Sequence, residues 1–274
     1  MYRQMYRQID SSDVLLSYTI APLSSPITCQ CTHTNMYSFY SKFIFEGNKA
    51  SGEGSCISSS ACDVRGGALF SSTPSALIEH CTFKDNEATT KSANQHAEGG
   101  AIYSTDIDEA NQFLLQTLIH NSTFTRNSAT GYGGAVYVLN QLAHITDSQF
   151  RQNVVGSKTQ LFADSSNAGG AIWYSSLSVT SKVKGTTFIE NVVYGGWGGA
   201  VFVTDSPDVI TIEKCDFIRN VAYSSYTFNA QGGALMVSHN TIIHVHQSNF
   251  LNNTASPRSD AGTCVSLCLC LSLV

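Results

Sequence analysis

The chain has 274 residues, 42% of them hydrophobic and 13% charged, with a formal net charge of −5. That is apolar material enough for a long core, and an acidic balance without any run of Lys or Arg excludes a nucleic-acid partner, which would need a basic face to displace counterions. The nine cysteines are an odd number, so at least one stays outside any intramolecular pairing.

Met1-Tyr-Arg-Gln followed by Met5-Tyr-Arg-Gln lacks the charged-then-apolar layout of a secretory signal, and Val14 to Ile20 is too short and too polar to serve as one. Residues 1–42 show no clear repeat, with Pro22 and Pro26 as breakers, and read as an irregular lead-in or a degenerate first coil. Cys29, Cys31, Cys56 and Cys62 lie in this entry region; they suit one or two disulfides if the protein is exported, while a zinc site would ask for two well-spaced pairs. Phe45-Glu-Gly-Asn48 is the first copy of an element that then recurs.

From Gly66 onward two motifs alternate. Gly-Gly-Ala plus an aliphatic residue begins at Gly66-Gly67, Gly99-Gly100, Gly133-Gly134, Gly169-Gly170, Gly198-Gly199 and Gly232-Gly233. Phe-x-x-Asn follows each, at Phe83/Asn86, Phe124/Asn127, Phe150/Asn153, Phe188/Asn191, Phe217/Asn220 and Phe250/Asn253. Six matched pairs at a period of roughly 30 residues signal a solenoid, here placed at residues 43–255. Residues 256–274 form an apolar Cys/Leu/Ser tail, whose final stretch from Cys264 is about half the ~20 residues a membrane helix needs, so no transmembrane segment is expected. Both ends read as other than natural domain ends.

Alignment on the phenylalanine exposes further columns. Five positions earlier stand Ile78, Ile119, Ile145, Val183, Ile212 and Val245; two earlier stand Cys81, Ser122, Ser148, Thr186, Cys215 and Ser248; two after the asparagine stand Ala88, Ala129, Val155, Val193, Ala222 and Ala255. Alternation of apolar or small residues beside an aromatic predicts strands, and β-branched residues in the aliphatic column agree. The aliphatic column and the phenylalanine have opposite parity, which predicts a bend between them. Strands that repeat in register stack like on like at ~4.8 Å, giving a single-stranded parallel β-helix of about six to seven coils. The asparagine is expected to take the left-handed backbone region and to bond the amide of the next coil. The paired glycines fit a tight turn where a β-carbon would crowd the neighbouring coil.

On the strand after the glycines, Leu69, Ile102, Val136, Ile172, Val201 and Leu235 are expected to face inward. Their neighbours include Tyr103, Tyr137 and Trp173 on three consecutive coils, an aromatic platform for stacking on sugars if exposed and a packed layer if not. Variable loops carry recognition in such scaffolds, and the Ser104–Gln116 insertion holds Asp106, Asp108 and Glu109, a weak Ca²⁺ candidate or a solvated loop. His244-x-His246 points two imidazoles to one strand face without a third ligand in sight, and reads as solvent-facing. Cys81 and Cys215 read as buried, inert thiols. Asn121-Ser-Thr123 and Asn252-Asn-Thr254 match glycosylation triplets that any Ser/Thr/Asn-rich chain contains by chance. Outward positions beside the phenylalanine put no two carboxylates on adjacent coils, so no catalytic residue, metal or cofactor is expected.

Tandem Gly-Gly-Ala-[Ile/Leu/Val] with Phe-x-x-Asn resembles the motif pair of the polymorphic membrane proteins, the chlamydial surface autotransporters. The resemblance covers about residues 43–255. It implies a right-handed parallel β-helix of the pectin-lyase-like type, displayed extracellularly or at the outer membrane, with the glycine pairs, phenylalanines and asparagines above linked to adhesion. Two departures stand out: no signal sequence, and no run of alternating membrane strands after Asn253 for a translocator barrel. The reading is a non-enzymatic adhesion or interaction scaffold whose partner is a host or neighbouring cell-surface protein or glycan; the alternative is a carbohydrate-active β-helix enzyme or a polysaccharide-binding module.

Overall fold

The computed structural model describes residues 27–28, 37–52, 64–71, 75–90, 96–105, 116–139, 142–157, 167–175, 180–206, 209–224, 230–239 and 241–256. Among them there is no helix, and every strand pairing is parallel. Four seven-stranded sheets run the length of a parallel β-helix, each taking one strand from every coil. We name them by what they carry. The glycine sheet holds the strands after the paired glycines, such as Val136–Leu139; the aliphatic sheet holds Leu142–Thr146 and its equivalents. The phenylalanine sheet holds Gln149–Arg151 and its equivalents, and the alanine sheet Val154–Val155 and its equivalents.

The register is the one the motif alignment demands: Phe124 pairs with Phe83 and Phe150, Ile119 with Ile78 and Ile145, and Ile102 with Leu69 and Val136. The first coil begins earlier than residue 43. Ile27–Thr28 pairs with Leu69–Phe70, and Tyr37–Ser41 pairs with Ser75–Glu79, so the lead-in contributes strands to the stack.

One core runs through all coils. Its middle is a file of phenylalanines, with Phe83, Phe124, Phe150, Phe188 and Phe217 all at 0% exposure. Successive ring centroids from Phe45 to Phe250 lie 4.7, 4.8, 4.6, 5.2, 4.7 and 4.7 Å apart, within 12° of parallel. Coil spacing dictates this: strands at ~4.8 Å hold identical side chains at the distance where rings stack with a lateral offset. Ile78, Ile119, Ile145 and Ile212 pack beside the file from the aliphatic sheet, and Leu69, Ile102, Val136, Ile172, Val201 and Leu235 from the glycine sheet. No ring is covered within its own coil; the coils above and below do it, which is why single coils cannot fold alone.

The predicted bend between the aliphatic column and the phenylalanine falls on one residue per coil, and that residue is left-handed: Lys42, His80, Asn121, Asp147, Gly185, Lys214 and Gln247 have φ between 43° and 59°. The second corner corrects the expectation for the asparagines. They are not left-handed; the residue ahead of each is, at Gly47, Asp85, Arg126, Gln152, Glu190, Arg219 and Asn252, with φ between 53° and 66°. Asn86, Asn127, Asn153, Asn191 and Asn220 are fully buried. Turning the chain one residue earlier sends the flanking side chain to solvent and the amide inward, where it can be fixed by its neighbours.

Cys29, Cys31, Cys56, Cys62, Asp106, Asp108, Glu109 and the tail from residue 257 lie outside the described residues.

Candidate functional site

The motif residues build two ladders inside the corners. In the first, each of the five asparagines from Asn86 to Asn220 uses all four hydrogen-bonding positions of its amide. Asn153 shows the pattern: its Oδ1 accepts from the backbone N–H and the Nδ2 of Asn127, both at 3.0 Å, while its own Nδ2 donates to Asn191 Oδ1 at 2.9 Å and to the Phe124 carbonyl at 3.0 Å. The chain of amides continues unbroken from Asn48 to Asn253. Phenylalanine and asparagine therefore form one device, because the amide of each coil ties down the carbonyl of the preceding coil's phenylalanine.

The second ladder lies in the small column, where the sequence showed only size. Ser122 Oγ donates to the His120 carbonyl at 2.8 Å and accepts from the Cys81 backbone N–H at 3.1 Å; Ser148 and Ser248 repeat the arrangement. These hydroxyls cap the left-handed bend. Cys81 and Cys215 stand in the same ladder with a thiol for the hydroxyl. Burial pushes both thiols up, Cys215 to about 11, against the lowering effect of nearby backbone groups. At neutral pH both are protonated, so we expect them to resist iodoacetamide in the folded protein and to label once urea unfolds it; mass mapping of the two peptides reads this directly. Labelling of either at the rate of an unfolded thiol would show that the coil is open there.

Outside, charges alternate along the corner ahead of the asparagines. Arg126 grips Asp85 through two hydrogen bonds of 2.7 and 2.8 Å, and Arg219 grips Glu190, which also accepts from Gln152. The guanidinium partners hold both carboxyls below their usual range. Lys182, Lys184 and Lys214, scattered in sequence, surround Glu213 at 2.6, 3.7 and 3.8 Å. His244 and His246 do face solvent together, with rings 5.9 Å apart. Among the described residues no group of three His, Cys, Asp or Glu is placed to hold a metal ion.

The aromatic column of the glycine sheet differs from an open platform. Phe70, Tyr103, Tyr137 and Trp173 stack with centroids 5.3, 5.0 and 4.3 Å apart, on the side of the strand away from the phenylalanine file. Tyr103 and Tyr137 are nonetheless buried, at 1% and 5% exposure. The short strands just before the glycines fold over them: Arg65 lies 5.0 Å above the Tyr103 ring, and Tyr132 packs against Tyr137 and Trp173. Burial raises the Tyr137 hydroxyl far above the usual tyrosine range.

Phe70 at one end and Trp173 and Met236 towards the other are half-buried, with Phe202 buried at 6% exposure between the latter two, so the layer is less covered beside Trp173. There a groove of about 410 Å³ is lined by Trp173, Trp197, Phe202, Met236 and, at its edge, Asp205 and His239. Trp197 and Phe202 lie 6.0 Å apart at 24°, and Trp173 and Phe202 6.5 Å apart at 26°, so both indoles are moderately tilted from the Phe202 ring plane. Ala168, the smallest residue of the covering column, stands where Tyr132 stands one coil earlier, and so leaves Trp173 less covered than Tyr137.

Residues 80–105 and 121–139 match the repeat described as Chlamydia polymorphic membrane protein (Chlamydia_PMP) repeat. Each matched segment holds one phenylalanine-asparagine element and one glycine pair, which in space is most of one coil. The chain is 28% identical over 201 residues to the "Probable outer membrane protein pmp21" of Chlamydia pneumoniae, an alignment covering 70% of this chain and 11% of that protein. It is 32% identical over 116 residues to the "Probable autotransporter YfaL" of Escherichia coli (strain K12), covering 34% of this chain and 9% of that protein. The chain thus spans roughly a tenth of the length of these curated relatives. No solved structure gives a significant match. With motif, register and repeat in agreement, the chain is a polymorphic membrane protein-like repeat protein built as a parallel β-helix.

Proposed function

We propose that the chain is a surface-displayed, non-catalytic scaffold that works by adhesion or interaction, contacting a protein or glycan outside the cell through the outward side of its glycine sheet. Similarity to an outer membrane protein and to an autotransporter supports the surface placement. The observation that carries the interaction is a contrast in burial. The motif phenylalanines and asparagines from Phe83 and Asn86 to Phe217 and Asn220 are at 0% exposure, and so cannot touch a partner themselves. They hold a rigid rod, and the aromatic groove beside Trp173 and Trp197 is where that rod presents apolar rings to the outside.

Beads coated with the purified chain should bind cultured epithelial cells, and Trp197→Ala should cut the bound fraction several-fold while Arg126→Ala, on the corner beside the asparagine ladder, leaves it unchanged. Equal loss in both variants, or no binding by the parent chain, would overturn the proposal. The enzymatic alternative is tested by incubation with pectin-like and other acidic polysaccharides: new reducing ends or unsaturated products would establish it.

A further inference from the structure

The groove on the glycine sheet holds more than ring faces. Asp205 and His239 stand at equivalent positions of adjacent coils, since Thr204 pairs with Ser238, and the Asp205 backbone N–H donates to the His239 carbonyl at 3.1 Å. Both have left-handed backbones, φ 50° and 41°, unfavourable for side chains other than glycine and held by the surrounding coils. Each has one polar atom engaged and one left over. Thr204 Oγ1 donates to Asp205 Oδ2 at 3.0 Å, and His239 Nδ1 is bonded to Ser238 Oγ at 2.7 Å; among the described residues nothing bonds Asp205 Oδ1 or His239 Nε2. The Trp173 indole N–H and the exposed Gln231 side-chain amide, which also line the groove, have no hydrogen-bond partner among the described residues either.

Half-buried indole rings and a set of unspent donors and acceptors lining one groove call for a ligand that is itself two-sided. A hexopyranose has that character, with a face of C–H groups to lay on indole and hydroxyls around its edge to give and take hydrogen bonds. From this geometry we propose that the groove between Trp173, Trp197 and Asp205 binds a neutral pyranose unit of a glycan. This deepens the interaction reading above and rests on it. The groove's size falls within the ~300–1,000 Å³ of small-molecule sites. No Lys or Arg lines it among the described residues, which disfavours an acidic sugar. A quaternary ammonium ion would also suit aromatic faces, but it accepts no hydrogen bond and would leave the indole N–H and the glutamine amide unanswered.

The chain reports on this site by itself, because its two tryptophans, Trp173 and Trp197, both line the groove. Methyl glycosides of glucose, galactose, mannose and N-acetylglucosamine, with choline as the cationic comparison, are titrated into the full chain while tryptophan emission is followed. At least one glycoside should change the emission saturably. Asp205→Asn, which suits a left-handed position and removes the carboxylate, should weaken that binding about tenfold or more, and Trp173→Phe, which keeps the ring stack but loses the N–H, should weaken it with an unchanged melting temperature. No saturable response to any of the four glycosides, a response to choline alone, or unchanged affinity in Asp205→Asn would overturn the assignment. If cells still bind and Trp197→Ala still reduces that binding while no glycoside responds, only the pyranose assignment falls; if glycosides bind but cells do not, the adhesion proposal falls and the site stands.

Discussion

Alanine at Gly134 is expected to destabilise the chain by about 4 kcal/mol, a large effect for one added methyl group. Its Cβ would sit 2.1 Å from the Gly170 carbonyl oxygen of the next coil and 2.8 Å from the backbone N and O of Val154 in its own coil. All three are backbone atoms, so no rotamer change gives relief. Making room would stretch the bonds that knit coil to coil here, Gly134 N–H to the Gly169 carbonyl at 3.0 Å and Ala135 N–H to the Ala171 carbonyl at 2.9 Å. Gly47→Ala is the matched comparison: φ is +66° and a Cβ there meets nothing within 4 Å, so only the left-handed strain of about 1–2 kcal/mol applies. Urea denaturation of the two variants decides. If Gly134→Ala costs no more than Gly47→Ala, close coil contact is not what requires the second glycine.

The second large effect is expected at Asn153. Asn153→Ala removes four hydrogen bonds at once in a fully buried corner: the Asn127 backbone N–H, one N–H of the Asn127 amide and the Phe124 carbonyl lose the partner they had in Asn153, and Asn191 Oδ1 keeps only the backbone N–H of residue 153. With ~1–3 kcal/mol for each buried group left unpaired, partly relieved by relaxation, the loss should reach about 4–5 kcal/mol. Because coils are stabilised chiefly by their neighbours, hydrogen exchange should accelerate first in strands Thr123–Thr125 to Thr187–Ile189 rather than evenly. Asn153→Asp adds a pH signature. Its carboxylate would face two acceptor oxygens, which raises its folded-state pKa above the unfolded value. Any stability the variant has is then fully present below the unfolded carboxyl pKa and is lost as pH rises through the raised folded one. The variant should therefore gain stability relative to the parent between pH 7 and about 4; a gap that is constant with pH would mean the position is wet.

Much of the stack was legible because it repeats. Phe124, Phe150 and Phe188 announce themselves by equal spacing, and residues in register on parallel strands must lie over one another. The bend ahead of the phenylalanine followed from parity alone. The left-handed asparagine did not hold, because a tolerance for that backbone is a weak preference whereas four amide hydrogen bonds are a strong one, and the bonds need the side chain inside. At the small column, Ser122, Thr186 and Cys215 showed a shared size but not their hydroxyl ladder, since bonding between coils is set by how the corner turns.

What the order of residues determined by itself is the periodic part: one coil per repeat, like on like, glycine where backbones approach and phenylalanine in the middle. These are properties of single positions multiplied along an axis, so a string of letters can hold them. What only the tertiary structure decided is the non-periodic outside. Whether Tyr103 and Trp173 meet water depends on what the strand before each glycine pair lays over them, and Asp205, Trp197 and Gln231 come together only because two adjacent coils place them on one flank. Such groupings arise from packing across different repeats, where no fixed spacing exists to be read.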